Sequence, residues 1–226
     1  METTVGAGER TERLLDCIAA LRTHCPWTRA LTHESLLEYL IEEAHEVVET
    51  VEGGSVDPEE LAQELGDVLL QVVLHSRIAE EDGRFAFADV AEGLRLKLVR
   101  RNPHVFHPDG SLRDSFPASV EEIEARWDAV KRTEKPERAS VFEGVPASLP
   151  ALARAAKLLS RARRDGGALQ PPPSASPVHC EDEESLGEAL LALVADAQER
   201  GLDAERSLRA ALRRREPGGG GSQPRS

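Results

Sequence analysis

The segment ELGDVLLQVVLH (residues 64–75) decides how this chain folds. Eight of its twelve residues are apolar or glycine, yet Glu64, Asp67, Gln71 and His75 recur at intervals of three, four and four. On a helix turning about 100° per residue, Leu61, Leu65, Val68, Leu69, Val72 and Val73 make one apolar arc. Leu70, Leu74 and Ile78 make a second, and the four polar residues fill the narrow stripe between them. A carboxylate flanked by hydrophobes on both sides is costly to desolvate without compensation, so Glu64 and Asp67 require a partner charge or a cation. Gln71 and His75 read as hydrogen-bonded neighbours in the same stripe.

The segment just before it answers with more acid. In SLLEYLIEEAHEVVETVEGG (residues 35–54), Leu36, Leu37, Leu40, Ile41, Ala44, Val47, Val48 and Val51 share one side of a helix that Gly53 and Gly54 end. Glu43 lies just outside one edge of that face and Glu46 further round, while Glu42 and Glu49 sit farther out. Side chains three apart are about 5–6 Å from one another at Cβ, so Glu43 and Glu46 can converge on one ion. A hairpin of the two helices would oppose Glu43 and Glu46 to Glu64 and Asp67, four all-oxygen ligands that suit Mg²⁺ or Mn²⁺. Either motif alone usually marks a solvated acidic face; both together, at the edges of apolar arcs on consecutive helices, favour a metal site. A di-iron centre is disfavoured because it needs two ExxH pairs on two helices, and only Glu42 and His45 have that spacing.

Outward from this pair the chain continues to read as helix. TERLLDCIAALR (11–22) has helical spacing, and HCPWTRALTHES breaks it at Pro26 before a cap-like Thr32 or Ser35. Asp57-Pro58 opens the helix that holds the opening segment, and Asp82-Gly83 closes it. A further helix spans 85–101, then HVFHPDGSLRDSFPAS forms a loop with a Pro-Asp-Gly turn, and 120–135 is again helical. No stretch alternates as a strand would, so the class is all-α, an antiparallel helical bundle. After residue 145 come a helix over 149–167, a Pro/Ser-rich linker at 166–178, helices over 182–200 and 203–215, and a disordered tail at 216–226. Residues 1–10 are expected to be a flexible leader.

SLGEALLALVADAQERG (185–201) echoes the helix ending in EEDG at 80–83, and LRAALRRR (208–215) echoes LRLKLVRR (94–101). The C-terminal third therefore reads as a degenerate second copy, with Ser185 and Glu188 where the first has Glu64 and Asp67 and no EExxE before them. Composition sets outer limits. In 226 residues, 28 Lys and Arg stand against 41 Asp and Glu, a net charge of −13 that repels nucleic-acid backbones and anionic membranes. No apolar run is long enough to span a bilayer, and METTVGAGER has neither the basic nor the apolar region of a signal peptide, so a cytoplasmic protein is expected. Cys17, Cys25 and Cys180 have no CxxC spacing and support neither a disulfide framework nor a thiolate metal site.

CPWTRALTHESLLEYLIEEAHEVVE, ELGDVLLQVVLHSRIAEEDGRFAFADV, KLVRRNPHVF and RWDAVKRTEK, in that order over about residues 11–145, resemble the MazG family of nucleoside triphosphate pyrophosphohydrolases, of the all-α NTP pyrophosphatase group. The resemblance implies a homodimer of helical bundles that cleaves NTPs or dNTPs to a monophosphate and pyrophosphate with Mg²⁺, in nucleotide-pool house-cleaning. It implies Glu43, Glu46, Glu64 and Asp67 as metal ligands and Glu42 as a water-orienting carboxylate. SVFEGVPASLPALARAAKLLSRA resembles the family's junction between two such domains, which places any activity in 11–145. Thr28 departs from the acidic residue usual after CPW.

A triphosphate also needs cations. Lys97, Arg100 and Arg101 form a local basic patch, although cations at a helix C-terminus equally serve its dipole. Trp127 and Lys131 are four apart and could meet base and phosphate, although an aromatic on a helix is more often core. Trp27 reads as structural, and His104 and His107 as loop packing or phosphate neighbours. The alternative to an enzyme is a non-catalytic nucleotide- or metal-binding regulatory module, or a helical interaction module.

Overall fold

The computed structural model describes residues 6–53, 55–116, 119, 123, 143–164, 180 and 182–213. The expected helix at 120–135 with Trp127 and Lys131, the linker at 166–178 and the tail at 216–226 lie outside the described residues, but for position 123. The chain divides into two compact units, Met1–Lys131 and Arg132–Ser226. Among the described residues all regular structure is helical apart from one isolated bridge between Phe106 and Leu112. None of the helices is long and apolar enough to cross a membrane.

The first unit contains α1 (Ala7–His24), α2 (Pro26–Arg29), α3 (Leu36–Glu52), α4 (Pro58–Glu81) and α5 (Phe87–Arg101). α1 begins before Thr11 because local side chains support an extra turn: the Thr11 hydroxyl donates to the Ala7 carbonyl, and Glu9 pairs with Arg13. α4 opens on Asp57, whose carboxylate accepts from the Glu59 N–H, with Pro58 at its first position. It closes at Gly83, where φ is +67°; the Gly83 N–H reaches the Glu80 carbonyl and the Arg84 N–H the Ala79 carbonyl, satisfying two orphan acceptors. Ahead of α3, Thr32 and Ser35 bond reciprocally, each hydroxyl accepting from the other's backbone N–H. The Leu36 N–H also reaches the Thr32 carbonyl, so the turn at 32–35 is continuous with the helix.

The core of this unit is Ile18, Leu36, Val73, Leu74 and Ile78, with Leu14, Leu15, Leu31, Leu70 and Phe87 packed around it. α4 lies at its centre and contacts α1, α3 and α5. Of the two apolar arcs of α4, the smaller one is the buried one, joined by Val73. Leu65 and Leu69 of the larger arc are 51% and 39% exposed. α3 divides in the same way: Leu36 is buried while Leu37, Ile41 and Val51 are exposed. A unit with a single core can cover only one side of each helix, and the remaining apolar residues form a surface.

The second unit contains α6 (Ala151–Arg164), α7 (Glu183–Glu199) and α8 (Ala204–Arg213), around Leu159, Val194 and Ala195. α7 ends as α4 does: Gly201 has φ +70°, its N–H reaches the Gln198 carbonyl, and the Leu202 N–H reaches the Ala197 carbonyl. Its start differs chemically from α4. The Ser185 hydroxyl is taken up by the backbone of Asp182, and Glu188 is exposed.

Candidate metal centre

Five residues separate α3 from α4, and the hairpin they form brings carboxylates from both helices together. Single oxygens of Glu43, Glu64 and Asp67 all lie within 4.8 Å of one another, with Glu43 and Glu64 half-buried and Asp67 exposed. A divalent ion held at about 2.0–2.6 Å from each oxygen spans roughly 4–5 Å between opposed ligands, so the spacing and the all-oxygen donor set fit a hard cation. Glu46 is exposed and within hydrogen-bonding reach of both Glu43 and Glu64, while Glu42 is exposed and acts on Glu43 through its charge.

The electrostatics agree with this geometry. Desolvation, then the charges of Asp67 and Glu46, raise the Glu43 carboxyl above its ordinary value. Desolvation, then Glu46 and Asp67, raise Glu64. Among the described residues no Lys or Arg acts on either carboxyl, so these two helices gather negative charge here without a cation of their own to balance it. Among the described residues this is the one place where three metal-ligating side chains converge.

Lys97 and Arg100 are exposed and Arg101 half-buried in the last two turns of α5, which packs on α4. Trp127 and Lys131 lie outside the described residues. Trp27, in the short α2, is 64% exposed and takes no part in the core, where a structural role was the expectation. Thr28 is buried and structural: its hydroxyl donates to the Leu21 carbonyl, and its own carbonyl accepts from the Arg22 guanidinium. His104 is buried in the loop after α5, its Nδ1 without a protein partner.

The expectation that Gln71 and His75 are both satisfied is only half met. His75 Nδ1 lies 2.7 Å from Nδ1 of His33, a residue of the turn before α3 that sequence reasoning passed over. Gln71 is buried, and its Oε1 and the His75 Nε2 have no partner. Nothing in the local sequence links positions 33 and 75; only the hairpin brings them together.

A helical hairpin that converges three carboxylates is a site that a hard divalent cation fits, and comparison with known proteins gives the family in which this hairpin occurs. The MazG nucleotide pyrophosphohydrolase domain model matches residues 31–106, which include α3 and α4 and all four expected ligands. A 26.1 kDa protein of the blaB 3' region of Streptomyces cacaoi is 45% identical over 88% of this chain and 78% of its own. The nucleoside triphosphate pyrophosphohydrolase/pyrophosphatase MazG of Thermotoga maritima is 34% identical over 92% of this chain and 83% of its own. The nucleoside triphosphate pyrophosphohydrolase of Mycobacterium tuberculosis is 43% identical over 70% of this chain, which spans only 47% of that enzyme. This chain belongs to the MazG family of nucleotide pyrophosphohydrolases.

Proposed function

We propose that this protein hydrolyses nucleoside triphosphates, ribo- or deoxyribo-, to a monophosphate and pyrophosphate at a divalent cation, Mg²⁺ or Mn²⁺, held by Glu43, Glu46, Glu64 and Asp67. The observation that carries the proposal is the convergence of Glu43, Glu64 and Asp67 from two helices in a member of this family. Bound there, such a cation supplies charge neutralisation for phosphate and a more acidic water. Glu43 and Asp67 approach from opposite helices, and Glu46, outside that trio, acts through its charge on both Glu43 and Glu64. Glu42, exposed beside the cage, is the carboxylate free to accept a proton from the attacking water. Lys97, Arg100 and Arg101 supply positive charge for the remaining phosphate oxygens, Arg by paired donors and Lys as a point charge. Trp127 and Lys131 are proposed for the base and phosphate end of the substrate.

The exposed apolar residues Leu37, Ile41, Leu65 and Leu69 on the outer side of the α3/α4 hairpin support a homodimer. The 11–145 segment is proposed as the catalytic part and 146–215 as a degenerate second copy, since Ser185 serves the start of α7 and no convergent carboxylates occur among the described residues there. A cytoplasmic, house-cleaning role in the nucleotide pool, without nucleic-acid or membrane partners, completes the reading. Pyrophosphate release from a panel of NTPs and dNTPs, with and without a chelator, tests it. Binding of Mg-nucleotide without turnover would instead define a nucleotide-binding regulatory module.

A further inference from the structure

The contact between His33 and His75 has a geometry that fixes its chemistry. The ring planes are 8° apart, the centroids 5.0 Å apart and the two Nδ1 atoms 2.7 Å apart. Two imidazole radii added to that 2.7 Å bond account for the whole centroid separation, so the rings meet edge to edge in one plane and do not overlap. A metal ion between the nitrogens is excluded, because two imidazoles on one tetrahedral ion at about 2.0–2.1 Å would stand roughly 3.3 Å apart. One proton between the two nitrogens is what fits.

Either ring can donate that proton, since each imidazole offers a donor or an acceptor at Nδ1. Both residues are half-buried, and among the described residues His75 Nε2 has no partner of its own, so the bond to His33 is the one polar contact that holds the His75 ring. We propose that His33 and His75 are positioning residues: a single shared proton clamps the start of α3 to α4 and thereby sets Glu43 against Glu64 and Asp67.

The lever is rigid at both ends. His33 is carried by the Thr32–Ser35 turn that runs unbroken into α3, and Leu36 beside it packs in the core with Val73 and Leu74. His75 is eight residues beyond Asp67 on α4, about 12 Å along a continuous helix. The hairpin loop closes one end of the α3/α4 pair; the histidine pair closes the other.

Protonation of His75 is disfavoured, because burial and then the charge of His33 hold its imidazole below its ordinary value. Charged groups on the neighbouring elements are otherwise engaged. On α1, Arg22 binds Glu81 and the carbonyls of Thr28 and Leu31. On α4, Arg77 pairs with Glu80 and Glu81. Glu34, next to His33, is held low first by its own backbone and then by Thr32, and also feels His33. From α5 the core receives uncharged Phe87, and Asp89 is tied to the Ala86 N–H.

The functional half of this inference rests on the metal-cage reading, so its test has two arms. In the full chain with ¹⁵N-labelled histidine, a scalar coupling between the two Nδ1 nuclei is expected at neutral pH, with one ring of the pair as its Nδ1–H tautomer. Its absence, or independent titration of the two rings in the ordinary imidazole range, overturns the shared proton whatever the protein's activity. In the second arm Mn²⁺ alone is the probe, titrated calorimetrically into wild type, His33→Ser and His33→Asn, with His33→Ala in reserve should the serine variant not fold. Loss of about tenfold in Mn²⁺ affinity is expected for His33→Ser, the scale on which orienting partners act on metal sites. Recovery is expected in His33→Asn, whose amide can donate to or accept from His75 Nδ1. Unchanged affinity in His33→Ser, or no recovery with asparagine, overturns the positioning role. A wild type that shows the coupling but binds no Mn²⁺ overturns that role through the cage reading, and leaves the shared proton standing.

Discussion

Glu81 accepts from two arginines at once, Arg22 at 2.5 Å and Arg77 at 3.2 Å, and Arg22 is itself buried. The hydrogen bond from Arg22, against some desolvation, holds the Glu81 carboxyl below its ordinary range. A carboxyl whose folded pKa is depressed stabilises the protein above its unfolded pKa, and that contribution is lost as pH falls through the folded value. Glu81→Gln should therefore lower stability by about 1–2 kcal/mol at neutral pH, a figure discounted for the carboxylate's partial exposure. In urea unfolding the gap from wild type should narrow as pH falls below the ordinary carboxylate range and Glu81 takes up its proton; a gap that stays constant into strong acid contradicts the assignment. Gly83 makes an independent test. Its Cβ position is open, so Gly83→Ala meets only the left-handed backbone cost of roughly 1–2 kcal/mol, read as a lowered Tm. At this scale the convergence of Glu43, Glu64 and Asp67 was legible from spacing alone, because a carboxylate between two apolar arcs has few structural uses; Glu46 falls outside that trio. His33 was not legible, since its partner is 42 residues away and is supplied only by the hairpin.

At the scale of the element, α4 carries both the core and the cage on one helix. Its polar stripe and its smaller apolar arc are where periodicity placed them, and Asp57, Pro58 and Gly83 bound it as their backbone preferences require. Periodicity could not tell which arc the chain itself would bury, because both are equally apolar and the choice depends on what packs against them. Leu36→Ala, which empties a site 1% exposed at the centre of the core, should cost about 2–5 kcal/mol in denaturant unfolding. Glu64→Gln should do the reverse in the cation-free protein. The raised Glu64 carboxyl binds its proton more readily folded than unfolded, so ionisation with rising pH destabilises the fold, and the neutral amide removes that repulsion. Thermal unfolding above the carboxylate range should show a higher Tm for Glu64→Gln with chelator present, and saturating Mg²⁺ should stabilise wild type more than the variant. A lower Tm with chelator would mean that Glu64 has a structural partner instead.

For the whole molecule, a net charge of −13 and the convergence of Glu43, Glu64 and Asp67 point to the same kind of chemistry, in which a cation would join the protein to the anionic substrate proposed for it. The exposed face of Leu37, Ile41, Leu65 and Leu69 is the feature that a single unit does not explain. If it joins two copies, Leu65→Glu should shift the sedimentation coefficient to that of a monomer, and an unchanged coefficient would remove that face from the interface. The central claim is that the carboxylates of α3 and α4 hold the cation on which hydrolysis depends, and the most direct measurement is pyrophosphate release by wild type, Glu64→Ala and Asp67→Asn across a panel of NTPs and dNTPs. Mg²⁺-dependent release by wild type that falls by more than about 100-fold in both variants is the predicted result, since losing a ligand costs at least as much as losing an outer partner. Turnover that survives either substitution undiminished, or wild type with no Mg²⁺-dependent turnover at all, would contradict it.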